Sequence, residues 1–480
     1  MAQELDIYDD LHGTVHLNPR ERRVIDSPWF QRLRRIHQLG VANMVFPGAE
    51  HTRFAHSIGV CHLSGRIARQ FPSTLKEHEE ELRAAALLHD VGHFPFSHTL
   101  EKVYAEYARP TLPNVGAWAN GEVAGGPSPP EETPSDEPPQ FHELFGQRVI
   151  SETTDAQGIA TILAQKAPGA EAELDPARIA LTVIAKHESL LLNQIVNSDL
   201  DVDQLDYLLR DAKATGSSYG QYDLDYLLEC LEVVRVEGIP VLCVHVRGLH
   251  VVEHYVLAKY FYYLCILYQK TRHVLEGILC SIAKRLIEAG LLPTWEALQE
   301  QMRTPWFWSF DDALVLQRMR KAVDQGKVDG DTAAAISMFL NRQLPKVHSE
   351  AHYLVDPGGS LPDSAEGPLA GENGNTVIAE AVKYAHKAQS DVLKPTPMPG
   401  DPSDPGVLTE VLLNNPRPIR IFFEEPFLVP NGVTTVAGQN DAGRGGKVAL
   451  LETLPNSIVA RLSGHTTHIR RTYHPYGAGP

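Results

Sequence analysis

Cysteine is scarce in this 480-residue chain, and its five copies, Cys61, Cys230, Cys243, Cys265 and Cys280, are odd in number and widely spaced, mostly among apolar neighbours. That pattern argues against a disulfide framework and fits reduced core thiols; no CxxC pair marks a zinc ribbon. Long apolar runs are missing too. The longest, Tyr260 to Tyr268, falls far short of the ~20 residues that cross a bilayer. The opening Met1-Ala2-Gln3-Glu4-Leu5-Asp6 has neither the basic region nor the apolar run of a signal peptide. The expectation is a soluble cytoplasmic protein with no membrane partner. Positive charge is in deficit, 43 Lys and Arg against 60 Asp and Glu for a net −17, which speaks against stable binding of duplex nucleic acid but not against nucleotides. No internal repeat is visible.

What is present is a large, mainly helical chain. Its length exceeds the ~250–300 residues at which single cores stop growing, so two or three structural units are expected. Apolar residues recur at helical spacing over 18–36, 56–71, 82–89, 141–153 and 177–187, and a helix is expected from Asp203 to about Ala212. Between 107 and 140 the composition turns to Pro, Gly, Glu and Ser, the mark of a mobile acidic insertion. Runs at 232–236 and 240–246 predict a hairpin, and a long helix should span 251–289, with further helices at 311–320 and 331–342. A second Pro/Gly/Asp-rich stretch at 394–406 precedes strand-like runs at 419–423 and 447–451. The expected architecture is mainly α, a helical core with a small β-hairpin and a smaller α+β C-terminal region. Its domains would be a core over 1–300, a helical extension over 301–393, a linker over 394–406 and a C-terminal region over 407–480. A local basic stretch, Arg20 to Arg23 with Arg32, Arg34 and Arg35, is either a solvated helix face or a phosphate contact.

The chemistry centres on His89-Asp90, at the end of an alanine- and leucine-rich helix and running into Val91-Gly92-His93-Phe94-Pro95-Phe96-Ser97-His98. A lone HD dipeptide is most simply a cap and a core histidine. Here it stands between His51-Thr52-Arg53-Phe54-Ala55-His56 and Asp199-Leu200-Asp201-Val202-Asp203. His56, His89, Asp90 and Asp203 offer a divalent cation two nitrogens and two carboxylates, a mixed set suited to Mg, Mn, Fe or Zn. His93, His98, His142 and Glu143 form a second titratable set that is either structural or positioned to stabilise charge and move a proton.

The order H…HD…D, each member on a separate helix, resembles the HD-domain metal-dependent phosphohydrolases. The stretches Asp26-Ser27-Pro28-Trp29-Phe30-Gln31-Arg32-Leu33-Arg34-Arg35-Ile36-His37-Gln38-Leu39-Gly40 and Val45-Phe46-Pro47-Gly48-Ala49-Glu50-His51-Thr52-Arg53-Phe54 narrow the resemblance to the deoxynucleoside triphosphate triphosphohydrolases. It covers about Asp9 to Arg342 without the insertion; no SAM domain is visible. The resemblance implies metal ligands at His56, His89, Asp90 and Asp203 and a phosphate-binding arginine at Arg53. It puts histidines near the α-phosphate at His93, His98 and His142, with Glu143 beside the last. The deoxyribose 3′-hydroxyl would meet Gln38 and Asp211, with Leu39 under the sugar and Tyr207 lining the pocket. The implied reaction on a dNTP is attack of a metal-activated water on the α-phosphorus, giving a deoxynucleoside and triphosphate, with His98 protonating the 5′ oxygen.

The chain departs from the family pattern at several positions. Gln204 stands where a phosphate-binding lysine is expected and Lys259 where an arginine is, which weakens the grip on triphosphate. An ungapped alignment of the long helix puts Leu267 where the family has a sugar-facing tyrosine. Asp26, Gln31 and Arg34 match an allosteric site where a nucleotide activator binds between subunits, but the lysine of that site maps to Leu5, and Asp26 equally suits a helix cap. The family pairs its subunits, so a homo-oligomer, dimer or tetramer, is implied. Two other readings stand beside dNTP hydrolysis: an HD-type nuclease or phosphodiesterase, and a nucleotide-sensing binding protein with slow turnover.

Overall fold

The computed structural model describes residues 5–108, 140–166, 173–344, 347–355, 389–390, 407–412, 419–424, 429, 433–455, 457 and 466–473. The expected insertion at 107–140, apart from 107, 108 and 140, and the expected linker at 394–406 lie outside the described residues. The helices used below are α1 (Pro19–Asp26), α2 (Arg53–Gln70), α3 (Glu79–Leu88), α4 (His98–Ala108), α5 (Phe141–Glu152), α6 (Pro176–Val183), α7 (Val202–Thr215), α8 (Leu249–Tyr262), α9 (Lys270–Glu288), α10 (Asp312–Asp324) and α11 (Gly330–Leu340). The strands are β1 (Leu5–Asp9), β2 (Gly13–Leu17), β3 (Leu231–Val236), β4 (Ile239–His245), β5 (Val347–Val355), β6 (Gln389–Ser390), β7 (Val407–Leu412), β8 (Arg420–Glu424), β9 (Val436–Asn440), β10 (Gly445–Leu450) and β11 (Thr466–Tyr473).

The chain divides into two compact units, the first comprising 1–216, 238–242 and 282–336 and the second 217–237, 243–281 and 337–480. In the first, α2 packs against α3 and α7, and α5 against α6. From Leu82 to Leu88 every residue of α3 is buried, the one charge among them, Arg83, being paired with Glu21 at 2.6 and 2.7 Å. The helix expected over 18–36 is instead broken. Asn18 caps α1 in a capping box with Glu21; Pro28 cannot continue the helix, Ser27 is extended, and the chain restarts as a short helix and a 3₁₀ turn. An antiparallel hairpin of β1 and β2, unforeseen in the sequence, precedes α1.

In the second unit the helix expected over 251–289 is interrupted. After α8, Tyr263–Leu267 form a π turn closed by Tyr268 N–H donating to the Tyr263 carbonyl at 2.8 Å, so one residue more than α-helical winding is accommodated before α9 begins. Strands in the order β10-β8-β4-β3-β9 close into a barrel, and β5, β11, β7 and β6 form a separate antiparallel sheet. The expected hairpin exists, but as two barrel staves. The C-terminal region expected to be α+β is β among the described residues, apart from the 3₁₀ turn Leu451–Thr453. Ile421, Phe422 and Phe423 of β8 are all buried, a continuous apolar run rather than an alternating one. In the stretch expected as a helical extension, α10 and α11 are helices and 347–355 is strand β5.

Candidate metal and phosphate site

Three helix ends of the first unit build the site. Thr52 is extended before α2, so Arg53 lies in the first turn and His56 on the next. His89 and Asp90 leave the end of α3. At the start of α7, Asp201 takes the capping role, accepting from Gln204 N–H at 2.7 Å, which leaves Asp203 free for other work. His56 Nε2 lies 2.9 Å from Asp203 Oδ1 and 3.2 Å from His89 Nε2. His89 Nε2 is 3.7 Å from Asp203 Oδ1 and 3.4 Å from Asp90 Oδ1, and His56 Nε2 is 3.8 Å from Asp90 Oδ2.

Each imidazole is turned by its other nitrogen. His56 Nδ1 pairs with Asp206 Oδ2 at 2.8 Å and His89 Nδ1 with the Ala86 carbonyl at 2.8 Å, so both Nδ1 atoms carry protons and both Nε2 lone pairs remain for a ligand. Two buried Nε2 atoms facing each other beside carboxylates need a cation or a proton between them. Burial by itself would push His56 down, but bonds to Asp203 and Asp206 lift it to about 10. Burial would raise Asp90, yet Arg53, His89 and His56 hold its carboxyl well below the usual range. His56 and Asp90 are buried while Asp203 keeps 35% of its side chain exposed, so the set has one open edge. His56, His89 and Asp203 converge as a three-residue ligand group; Asp90 stands beside them with Oδ2 accepting from Arg53 Nη1 at 2.8 Å. The donor set fits a divalent cation of the Mg, Mn, Fe or Zn kind.

The second set adjoins the first, His93 Nε2 lying 3.6 Å from Asp90 Oδ1. The His93 ring stacks on His142 at 4.1 Å between centroids and meets His98 edge-on at 4.9 Å. His93 is fully buried with neither ring nitrogen hydrogen-bonded, and burial together with the charge of Arg53 pushes its pKa well down. Glu101 organises the other two, meeting His98 Nδ1 at 2.7 Å and His142 Nδ1 at 2.9 Å. Burial would lower His142, but the charge and hydrogen bond of Glu101 raise it to about 9. Close packing of the backbone makes this cluster possible. A Cβ on Gly92 would stand 2.1 Å from Gly146 N and 2.3 Å from the His142 carbonyl, so only glycine lets the turn after the dyad lie on α5.

Of the residues expected from the sequence, the structure brings together His56, His89, Asp90 and Asp203, with Arg53, His93, His98 and His142 around them. Arg53 also donates to Ser97 Oγ at 3.0 Å and to the Gln38 carbonyl at 3.3 Å. Gln38 is buried with Oε1 unpartnered, and Asp211 is buried with Oδ1 paired to His51 Nε2 at 2.6 Å. Leu39 is buried next to Gln38; Tyr207 lies on α7 between Asp203 and Asp211 at i+4 spacing. Glu143 accepts from Gln140 N–H at 2.7 Å and Asn197 Nδ2 at 2.9 Å, capping α5, and its charge adds to that of Glu101, the carboxylate bonded to His142. Lys259 lies on α8 in the second unit. Gln204 is turned back onto its own loop, donating to the Ser198 carbonyl. Asp26 is exposed near Arg22 at 3.6 Å, while Arg34 donates to Gln31 Oε1 at 2.9 Å and lies over the Phe54 ring.

Glu101, bonded to His142, and Asp206, bonded to His56, were not singled out from the sequence. The i, i+3 spacing of His98 and Glu101, and of Asp203 and Asp206, was a signal, because such pairs share a helix face.

Residues 53–124 match the HD domain family model. The chain is 27% identical over 360 residues to an uncharacterised Bacillus subtilis protein, YwfO, covering 72% of each chain. It is 31% identical over 258 residues to the bovine deoxynucleoside triphosphate triphosphohydrolase SAMHD1, covering 49% of this chain and 40% of that one. Among solved structures, a phosphohydrolase from Bacteroides thetaiotaomicron matches with a TM-score of 0.62 at 20% identity, over 98% of this chain and 100% of that one. A hypothetical protein from Aquifex aeolicus matches with 0.61 at 24%, over 98% and 96%. No helix among the described residues is long and apolar enough to cross a membrane. With the H…HD…D geometry assembled and the family model lying on it, the chain carries an HD domain and resembles, over about half its length, the deoxynucleoside triphosphate triphosphohydrolases.

Proposed function

We propose that the protein hydrolyses dNTPs to deoxynucleosides and inorganic triphosphate. The observation that carries this reading is the convergence of His56, His89 and Asp203 beside Arg53 and three imidazoles: a cation site next to a cluster suited to phosphate oxygens and to proton transfer. A divalent cation held by His56, His89, Asp90 and Asp203 supplies Lewis acidity toward a phosphate oxygen and lowers the pKa of a water.

The chain's own residues do the rest. Arg53 and His142, protonated at neutral pH by virtue of Glu101, face charge that develops on the phosphoryl oxygens. His93 has two unengaged ring nitrogens to offer the same oxygens. His98 delivers the proton to the departing 5′ oxygen. Its Nδ1 is held by Glu101, which leaves Nε2 for substrate, and its side chain is 46% exposed, so it can recover a proton from water between turnovers. Gln38 Oε1, buried and unpartnered, wants a donor, and a sugar 3′-hydroxyl is one. Assembly into a dimer or tetramer, and a nucleotide activator at Asp26, Gln31 and Arg34, belong to the same reading.

The test is to incubate the Mn-loaded protein with each dNTP, each rNTP and short single-stranded DNA, and to identify products by mass. Deoxynucleoside plus triphosphate, abolished by Asp203→Ala, is the expected outcome. Mononucleotides released from DNA would replace it with nuclease action, and binding without turnover with nucleotide sensing.

A further inference from the structure

His56 is held from behind by a chain of buried charges that begins in the N-terminal hairpin. Asp206 Oδ2 meets His56 Nδ1 at 2.8 Å, and its Oδ1 meets His12 Nε2 at 2.6 Å. Arg210 donates Nε to Asp206 Oδ2 at 2.7 Å and Nη2 to Oδ1 at 2.9 Å, then reaches Asp9 through Nη1 at 2.9 Å and Nη2 at 3.1 Å. Asp9 Oδ1 in turn accepts the backbone N–H groups of Leu11 and His12, each at 2.9 Å, which fixes the turn carrying His12. The side chains of Asp9, His12, Asp206 and Arg210 are each no more than 4% exposed. A Cβ at Gly59 would stand 2.0 Å from Asp206 Oδ1, so α2 is cut away where this carboxylate enters.

An imidazole binds a cation through Nε2 only when Nδ1 keeps its proton and the ring is aimed. A carboxylate on Nδ1–H does both and raises the basicity of the ligating nitrogen. We propose that Asp206 is the positioning residue for His56 and that the hairpin turn, acting through His12, sets how tightly the HD site holds its divalent cation. This rests on the reading of His56 as a metal ligand. His12 supplies, beside Arg210 Nη2, a second donor to Asp206 Oδ1, and so helps fix the carboxylate on the His56 axis. The hairpin, distant in sequence from the H…HD…D set, thereby becomes part of it.

The experiment uses the full chain with Mn²⁺ and Co²⁺ in competition with a chromophoric chelator. His12→Phe keeps a ring against His62, on which His12 stacks at 5.3 Å, but removes the donor; His12→Gln offers an amide donor in its place; Asp206→Asn alters the carboxylate itself. Loss of an outer-sphere partner weakens metal affinity by roughly 10–100-fold. That loss is expected for His12→Phe and Asp206→Asn, with partial recovery in His12→Gln and a shifted Co²⁺ absorption band in His12→Phe. Wild-type affinity and an unchanged Co²⁺ band in His12→Phe overturn the proposal. So does a lower melting temperature of the chelator-treated protein with both metal readouts unmoved, which would make the network merely structural. Should Asp206→Asn not fold, His12→Phe decides alone. The underlying reading fails separately, if the wild type takes up no Mn²⁺ or if His56→Ala binds it as the wild type does.

Discussion

His56 and His89 on one side and His93, His98 and His142 on the other adjoin at Asp90, and the carboxylates stand on different sides of the rings in the two groups. In the first, carboxylates stand on the Nε2 side, Asp203 at 2.9 Å from His56, while Nδ1 is spent on Asp206 or a backbone carbonyl. In the second, the one carboxylate, Glu101, stands on the Nδ1 side of both His98 and His142, and no carboxylate oxygen comes within hydrogen-bond distance of Nε2 among the described residues. A carboxylate beside Nε2 can share a cation with the imidazole; Glu101 behind Nδ1 lifts His142 to about 9, whereas at His98 burial outweighs it and holds that ring below the ordinary value.

Removing a ligand should break that comparison most severely. Asp203→Ala or His89→Ala is expected to weaken divalent-metal binding by at least about a hundredfold, more than an outer-sphere change does, as read by metal analysis after dialysis. Retention of one equivalent of metal by both variants would remove the first group's role. His98→Ala is expected to lower turnover by about 10²–10⁴-fold, the span of general acid catalysis, at unchanged metal content. Loss of metal in that variant would erase the distinction between the groups.

Glu101→Gln sharpens the comparison through pH. It should bring the His142 pKa down from about 9 toward the ordinary imidazole value, measured by NMR titration of the ring. His142 is raised in the folded state, so the stability it contributes is complete below its unfolded pKa and is lost as pH climbs through about 9. The stability gap between wild type and Glu101→Gln should therefore shrink across that window, and a gap that widens would contradict the assignment. The smallest effect on chemistry should come from Gly92→Ala. The new methyl group would meet the Gly146 and His142 backbone, and overpacking of this kind costs ~1–3 kcal/mol, read by urea unfolding. Stability equal to wild type would mean that the dyad turn does not rest on α5.

Much of the site was legible because its residues announce themselves by type and spacing. His56 on one helix, His89-Asp90 at the end of another and Asp203 at the start of a third were readable from motif order alone. Glu143 and Glu101 show where that reading stops. Both are glutamates near His142, one its neighbour in the chain and one hydrogen-bonded to its Nδ1, and the neighbour in the chain also caps α5. The hairpin Leu5–Leu17 escaped notice because its strands are short and its contribution lies in Asp9 and His12, whose partners Arg210 and Asp206 lie some two hundred residues away. The π turn escaped because periodicity of apolar residues cannot register one extra residue in a winding that is apolar throughout; it reports the stripe, not the hydrogen-bond ladder. The C-terminal strands were half visible: β8 and β10 appeared as apolar runs, but barrel closure with β3 and β4 is a non-local pairing.

By itself the sequence determined the chemical vocabulary of this protein: a mainly helical chain with an H…HD…D set, Arg53 and a cluster of histidines, because residue type and local spacing fix which groups can share a helix face. Only the tertiary structure decided which nitrogen of each histidine is free, since that depends on a carboxylate brought from another segment. Asp206 takes the His56 Nδ1 and leaves Nε2 facing Asp203 and His89, and Glu101 raises the proton affinity of His142.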